Sequence, residues 1–540
     1  MNTTRRLATA HIGVAIAAFG IAAFMAVMQA LSRASFDLPF RSPSMYYMSV
    51  TAHGVLMALV FTTFFIMGLS VALTSKALDR PIAAPKLGWA AFWLAAVGTA
   101  VTAVVILTFK ASVLYTFYPP MQAHPLYYIG LTVVVVASWI WGGTIIATYR
   151  GWRAENGDAP MPLAVHGILT TIIVWYLATI GVAVEMLFQL IPWSLGFTDT
   201  VDPILARMLF WYFGHPLVYF WLIPAYVIWY TVLPKVAGGK LFSDPLTRMV
   251  FALFIVLSTP VGFHHQFMDP GVSSGWKLLH TFTTFGILFP SLVTAFTITA
   301  SLEVAARMRG GQGLFGWIKA LPWGDPLVSS VLLAMILFAI GGWGGAINAA
   351  YSLNALVHNT AWIHGHFHLT VGSAVALTFI GASYWLVPKL VGRKLEFVSM
   401  AKWQPYLWFV GMLLFGVVNH VTGLQGMPRR VYEASYGGSA VAEAWKSTTL
   451  ISAIGGVLLF VSALMFLLVM LKTVLTGEKG DQGEIEFAEP LEGQPTARGP
   501  WDKIGLLVAV AIVLVVIAYA YPLIQHFGME RFGSPGFRPF

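Results

Sequence analysis

Long apolar runs recur along the chain, each closed by a short polar or Gly/Pro-containing turn. A helix that crosses lipid needs about 20 mostly apolar residues. By that measure, runs near 9–31, 47–74, 87–109, 126–148, 163–191, 204–234, 248–267, 278–306, 326–348, 358–387, 404–423, 448–473 and 503–523 predict about 13 transmembrane helices. The expected fold class is an all-α polytopic membrane protein, with one integral-membrane domain over 1–540. Only 476–503 reads as a true hydrophilic loop. No small-residue cleavage site closely follows the first run, so it is read as the first span and not as a removable signal peptide.

Composition agrees with this pattern. Hydrophobic types make up 58% of the 540 residues and charged types 10%, against about 25% charged in soluble domains. There is no cysteine, which excludes disulfides, thiolate zinc sites, iron–sulfur clusters and covalently attached c-type haem within this chain. The net charge of +9 has no basic tract interleaved with aromatics, so nucleic acid is excluded as a partner. The positive-inside rule explains the charge better. With the N-terminus cytoplasmic, the segments on that side, from Arg5 and Lys76 through Lys235 and Arg307 to Lys503, hold 21 of the 31 lysines and arginines. An odd number of spans then puts the C-terminus outside and the 476–503 loop in the cytoplasm.

Polar residues inside the apolar runs carry the chemistry, because such residues are costly in lipid. In WIHGHFHL, His366 and His368 are two residues apart, about 200° around a helix. They point to opposite sides, and two metal centres flanking that helix can each take one. His364 sits nearer the helix start and reads as structural or interfacial. In GHPLVYFWLIPAYVIWY, His215 and Tyr219 share a face at i and i+4, and Tyr226 and Tyr230 extend the stripe. His264 and His265 are adjacent in STPVGFHHQF, just after Pro260 and Gly262, which make a local irregularity plausible. With His215 they make three nitrogen ligands and leave an open position. His53 lies mid-span in the second run. A lone buried histidine is more often a hydrogen-bonded core residue. Here one bis-histidine haem, one five-coordinate haem and one three-histidine copper together account for all six.

With GHPLVY, STPVGFHHQF, HNTAWIHGHFHL, LPKVAGGKLFSDP and MPRR in place, the chain resembles subunit I of the haem–copper oxygen reductases over nearly its full length. It is most similar to the B-type, or ba3-type cytochrome c oxidases, because Leu217 stands where the A-type proteins carry a Glu. The resemblance implies O2 reduction to water with proton uptake and pumping. It implies His53 and His368 as ligands of low-spin haem b, and His366 as ligand of a high-spin haem, a-type or related. His215, His264 and His265 would hold the copper CuB. Tyr219, cross-linked to His215, would supply an electron and a proton. The implied partners are a subunit II carrying CuA, cytochrome c as donor and a small third subunit, in a bacterial or archaeal cytoplasmic membrane.

The same resemblance implies a single proton path, with Tyr226 and Tyr230 facing Ser291, Thr294 and Thr297. Taken alone, those hydroxyls would be ordinary interhelical hydrogen-bonders. Arg429 and Arg430 lie on the outer side, against the charge bias, and would pair with haem propionates. Arg207 and His358 are expected in the same region. Asn354 stands where relatives can carry an Asp, and Glu185 is a lone acid in a span with no assigned partner. Three alternatives remain. A nitric oxide reductase shares the histidines but lacks the tyrosine, a quinol-oxidising variant differs in its donor, and a histidine-rich metal transporter would want acids or inverted repeats along its path.

Overall fold

The computed structural model describes residues 2–540 apart from 37 and 39–41. Among the described residues, twelve helices are long and apolar enough to cross a membrane. In chain order, with one shorter helix at its place, these are α1 (Thr3–Arg33), α2 (Pro43–Ala77), α3 (Pro85–Leu107), α4 (Pro125–Asn156), α5 (Leu163–Ser194), α6 (Pro203–Val236), α7 (Asp244–Leu257), α8 (Ser274–Met308), α9 (Pro326–Ala349), α10 (Trp362–Val391), α11 (Val398–Leu424), α12 (Lys446–Thr476) and α13 (Ile504–Gly528). All thirteen predicted runs therefore have a helix. The run expected at 248–267 differs from the rest. Its α-helix stops after 14 residues at Leu257, and a 3-10 turn, Gly262–Gln266, follows. Pro260 lacks an N–H and so removes a helical hydrogen bond at this point.

Local sequence sets the helix starts. Five of the helices open on proline, whose missing N–H is harmless in the first turn. Before two of them an aspartate caps the end. Asp202 Oδ1 accepts the Ile204 and Leu205 N–H groups at 3.1 and 3.0 Å. Asp325 Oδ1 accepts those of Leu327 and Val328 at 2.9 and 3.1 Å.

In α6, 94% of the most apolar stretch is buried, against 17% in α13. α6 is thus a central helix and α13 a peripheral one. α10 is flanked by α9 and α11. π-helical turns interrupt α2 at Leu56–Phe61 and α10 at Val371–Val375, just after His53 and His368, and α11 at Leu413–Val417. Such turns cluster at functional sites.

The 476–503 segment crosses one face as a strap. Its acids meet lysines at helix ends and in the turns beyond them: Glu478 with Lys394, Glu484 with Lys76, Glu486 with Lys235 and Glu489 with Lys240. These pairs are exposed and individually weak. The buried one is different. Arg248 binds Asp244 at 2.5 Å and Asp502 at 2.7 Å, and donates to the Met161 carbonyl at 2.8 Å.

Candidate metal centres

The first centre is built where α6 meets the broken end of α7. Pro216 interrupts the helical hydrogen bonding of α6 directly after His215. The backbone freed at 258–263 finds partners on other helices, as it must in lipid. Tyr519 of α13 accepts the Gly262 N–H and donates to the Thr259 carbonyl, both at 2.9 Å. His280 of α8 accepts the Phe263 N–H at 3.1 Å. Gly262 is required here, because a Cβ would lie 2.4 Å from the Trp211 carbonyl oxygen.

This anchoring brings His215, His264 and His265 together, with one ring nitrogen of each within 4.8 Å of the others. His215 Nδ1 lies 3.1 Å from His265 Nε2. Two ligands on one ion with bonds of about 2.0 Å stand roughly 3 Å apart, so the set fits a metal ion without rearrangement. The His265 ring stacks on Trp211 with 3.7 Å between ring centres. On its other side, His215 Nε2 lies 3.0 Å from the Tyr219 hydroxyl.

The second centre lies between α2 and α10. The His53 and His368 rings are parallel to within 4°, their centres 6.1 Å apart. Two metal–nitrogen bonds of about 2 Å each, plus the depth of two half-rings, span about that gap. Each Nδ1 is occupied: His53 donates to the Ala22 carbonyl at 3.0 Å and His368 to the His364 carbonyl at 2.8 Å. Both Nε2 atoms are left as ligands. The cavity around them has an apolar body that includes Ala23, Met57, Phe61, Val371, Met412 and Phe415, and one end is lined by Arg33, Arg429 and Arg430. No acid lines it. An apolar slot with guanidiniums at one edge fits a haem and its two carboxylates.

His366 points away from that cavity, as the two-residue spacing predicts. Its Nδ1 donates to the Gly341 carbonyl on α9 at 2.8 Å, leaving Nε2 free. Gly345 gives this ring room, because a Cβ there would lie 2.8 Å from His366 Cε1.

Some predicted site residues fall together and some do not. Tyr226 donates to Ser291 at 3.3 Å and Tyr230 to Thr294 at 2.7 Å, so the two hydroxyl stripes do face each other. Thr297 is buried but folds back onto the Val293 carbonyl at 2.8 Å. Arg430 sits at φ +64° over the Tyr115 ring, 5.3 Å from its centre. Burial first, then Arg430, pushes the Arg429 guanidinium down to about 10. Arg207 is not a free cation: Asp269 holds it through two bonds of 2.7 and 3.0 Å. That pair uses two of the guanidinium's five N–H donors and leaves the other three unoccupied by it. His358 lies within electrostatic reach of Asp269, Arg429 and Arg207. Asn354 is buried and donates to the Asn348 carbonyl at 2.7 Å.

Sequence reasoning missed two residues. Arg33, at the end of α1, reaches His364 Nδ1 at 3.1 Å and keeps a buried Nε with no partner. A basic residue closing an apolar span looked like an ordinary flank. Thr284 lies 2.8 Å from His264 Nδ1. It sits seven residues before Ser291, so extending the hydroxyl stripe backwards would have found it.

The sequence profile described as Cytochrome C and Quinol oxidase polypeptide I matches residues 6–458. The chain is 43% identical over 495 residues to cytochrome c oxidase subunit 1 of Thermus thermophilus, covering 89% of this chain and 87% of the relative. It is 26% identical to quinol oxidase subunit 1 of Bacillus spizizenii, covering 81% and 67%. A heme-copper terminal oxidase dimer solved by cryo-EM superposes with a TM-score of 0.95 at 36% identity, covering all of this chain and 96% of that one. Haems and CuB are general to this family, as are further oxidase subunits and a multi-pass membrane setting. By profile, identity and fold, the chain belongs to the cytochrome c and quinol oxidase polypeptide I family, as a homologue of cytochrome c oxidase subunit 1.

Proposed function

We propose that this chain is the oxygen-reducing subunit of a terminal respiratory oxidase. Its electrons come from cytochrome c through a partner subunit carrying CuA, and the reaction is coupled to proton uptake and pumping. The observation that carries this reading is the placement of His215, with Nδ1 turned to His265 and Nε2 to the Tyr219 hydroxyl. The higher identity to a cytochrome c oxidase than to a quinol oxidase supports cytochrome c as donor. A small third subunit and a cytoplasmic N-terminus complete the proposal.

In this reading His53 and His368 hold low-spin haem b, His366 a high-spin haem of a-type or a related kind, and His215, His264 and His265 hold CuB. When bound, the high-spin haem and copper supply electrons and open coordination positions for O2. The chain's own residues do the rest. A metal on His215 Nδ1 leaves Nε2 facing Tyr219, 3.0 Å from its oxygen, where the cross-link of the pair would form. The Tyr219 O–H then remains available to deliver a proton. Tyr226 with Ser291, and Tyr230 with Thr294, support a proton route from the strap side. The cationic end formed by Arg429, Arg430 and Arg33 neutralises haem carboxylates.

Haem extraction and metal analysis of the purified complex test the proposal. Two haems and one copper per chain, beyond any CuA, are expected. Two haems with additional iron and no copper would identify a nitric oxide reductase instead.

A further inference from the structure

One strongly unsatisfied cluster lies outside these centres. Glu185 sits in α5, is fully buried, and neither carboxyl oxygen has a hydrogen-bond partner. One turn on, both amide atoms of Gln189 are buried without partners, and a further turn on so is Trp193 Nε1. Spacings of four place all three on one face of the helix. A π-helical turn, Met186–Leu190, runs between Glu185 and the end of α5. Tyr128 of α4 accepts the Ala123 N–H at 3.0 Å, so its own O–H is left to donate, and it is within electrostatic reach of Glu185.

The outer end of this face is closed by the C-terminal tail. Arg538 donates to the Ser194 carbonyl at 3.1 Å and to Gln122 Oε1 at 2.7 Å. Gln122 in turn donates to the Trp193 carbonyl at 3.0 Å. Nothing charged is paired with Glu185 among the described residues.

Buried polar atoms are not left dry in a membrane protein, and polar enclosures of this kind take ordered water. An isolated carboxylate there would be prohibitively costly, whereas a protonated acid can both donate and accept. We propose that Glu185, Gln189 and Trp193 line a sealed, water-holding pocket in which Glu185 carries a proton, a proton-storage site separate from the Tyr230–Thr294 route.

Infrared difference spectra of the purified oxidase complex, wild type minus Glu185→Gln, test this. The expected result is a carbonyl-stretch band of a protonated carboxylic acid that shifts down in D2O. Loss of carboxylate stretches alone would overturn the proposal, because it would mean an ionised acid with a bound cation. Should Glu185→Gln fail to assemble, Gln189→Leu retains the acid. Its carbonyl band then moves to higher frequency as the shared water is lost, and an unmoved band would equally overturn the pocket.

Discussion

Thr284 Oγ1 accepts the Nδ1–H of His264 at 2.8 Å and donates its own proton to the His280 carbonyl at 2.5 Å. The carbonyl can only accept, so the hydroxyl's direction is set, and with it the tautomer of His264. Nε2 is left as the metal-binding nitrogen. Thr284→Val keeps the shape and removes the hydroxyl. We expect copper affinity to fall by about 10–100-fold, read as copper per chain after graded chelation, with both haem spectra unchanged. Full copper retention would show that the hydroxyl does not orient the ligand.

Tyr219→Phe removes only the hydroxyl 3.0 Å from His215 Nε2. Oxygen consumption should be abolished while both haems still bind and the copper content stays near one. Normal turnover would sink the role assigned to the phenol.

His368→Ala takes one of two parallel rings out of the α2–α10 cavity. The low-spin haem signal should disappear and the CO-binding haem should remain. If CO binding alone is lost, the two histidine assignments on α10 are reversed.

Tyr230→Phe breaks the 2.7 Å bond to Thr294. A lost hydrogen bond of about 1.4 kcal/mol in the rate-limiting proton step corresponds to a tenfold slower rate. Flow-flash measurements should show proton uptake slowed by about that factor, with electron transfer between haems in the absence of O2 unaffected. Equal slowing of both would point to a structural effect.

Arg248→Ala leaves Asp244 and Asp502 facing each other in a buried site, where both are under 5% exposed. Breaking a buried pair from one side costs about 3–5 kcal/mol. The variant should unfold or lose its strap at clearly lower temperature. Limited proteolysis at 476–503 would report it, and wild-type resistance would contradict the assigned role.

Much of the site was legible along the chain, because helices convert spacing into direction. Two residues separate His366 from His368, and the structure sends one toward Gly341 and the other toward His53. Four residues separate His215 from Tyr219, and the two touch. The 13 apolar runs became 13 helices for the same reason: lipid leaves the backbone few other choices.

What spacing could not decide are contacts between helices far apart in sequence. The partner of His264 lies 20 residues away on another helix. That Arg207 is held by Asp269, while Arg33 reaches His364 and keeps a buried Nε without a partner, follows from how helix ends converge and not from any local pattern. The end of α7 at Leu257 was open as well: Pro260 permits a break, but Tyr519 and His280 satisfy the backbone that the break exposes. Hydrophobicity and helical period were therefore determined by the sequence alone. The tautomers, the ion pairs and the unpartnered Glu185 were decided by tertiary packing, because each depends on which polar atoms water can no longer reach.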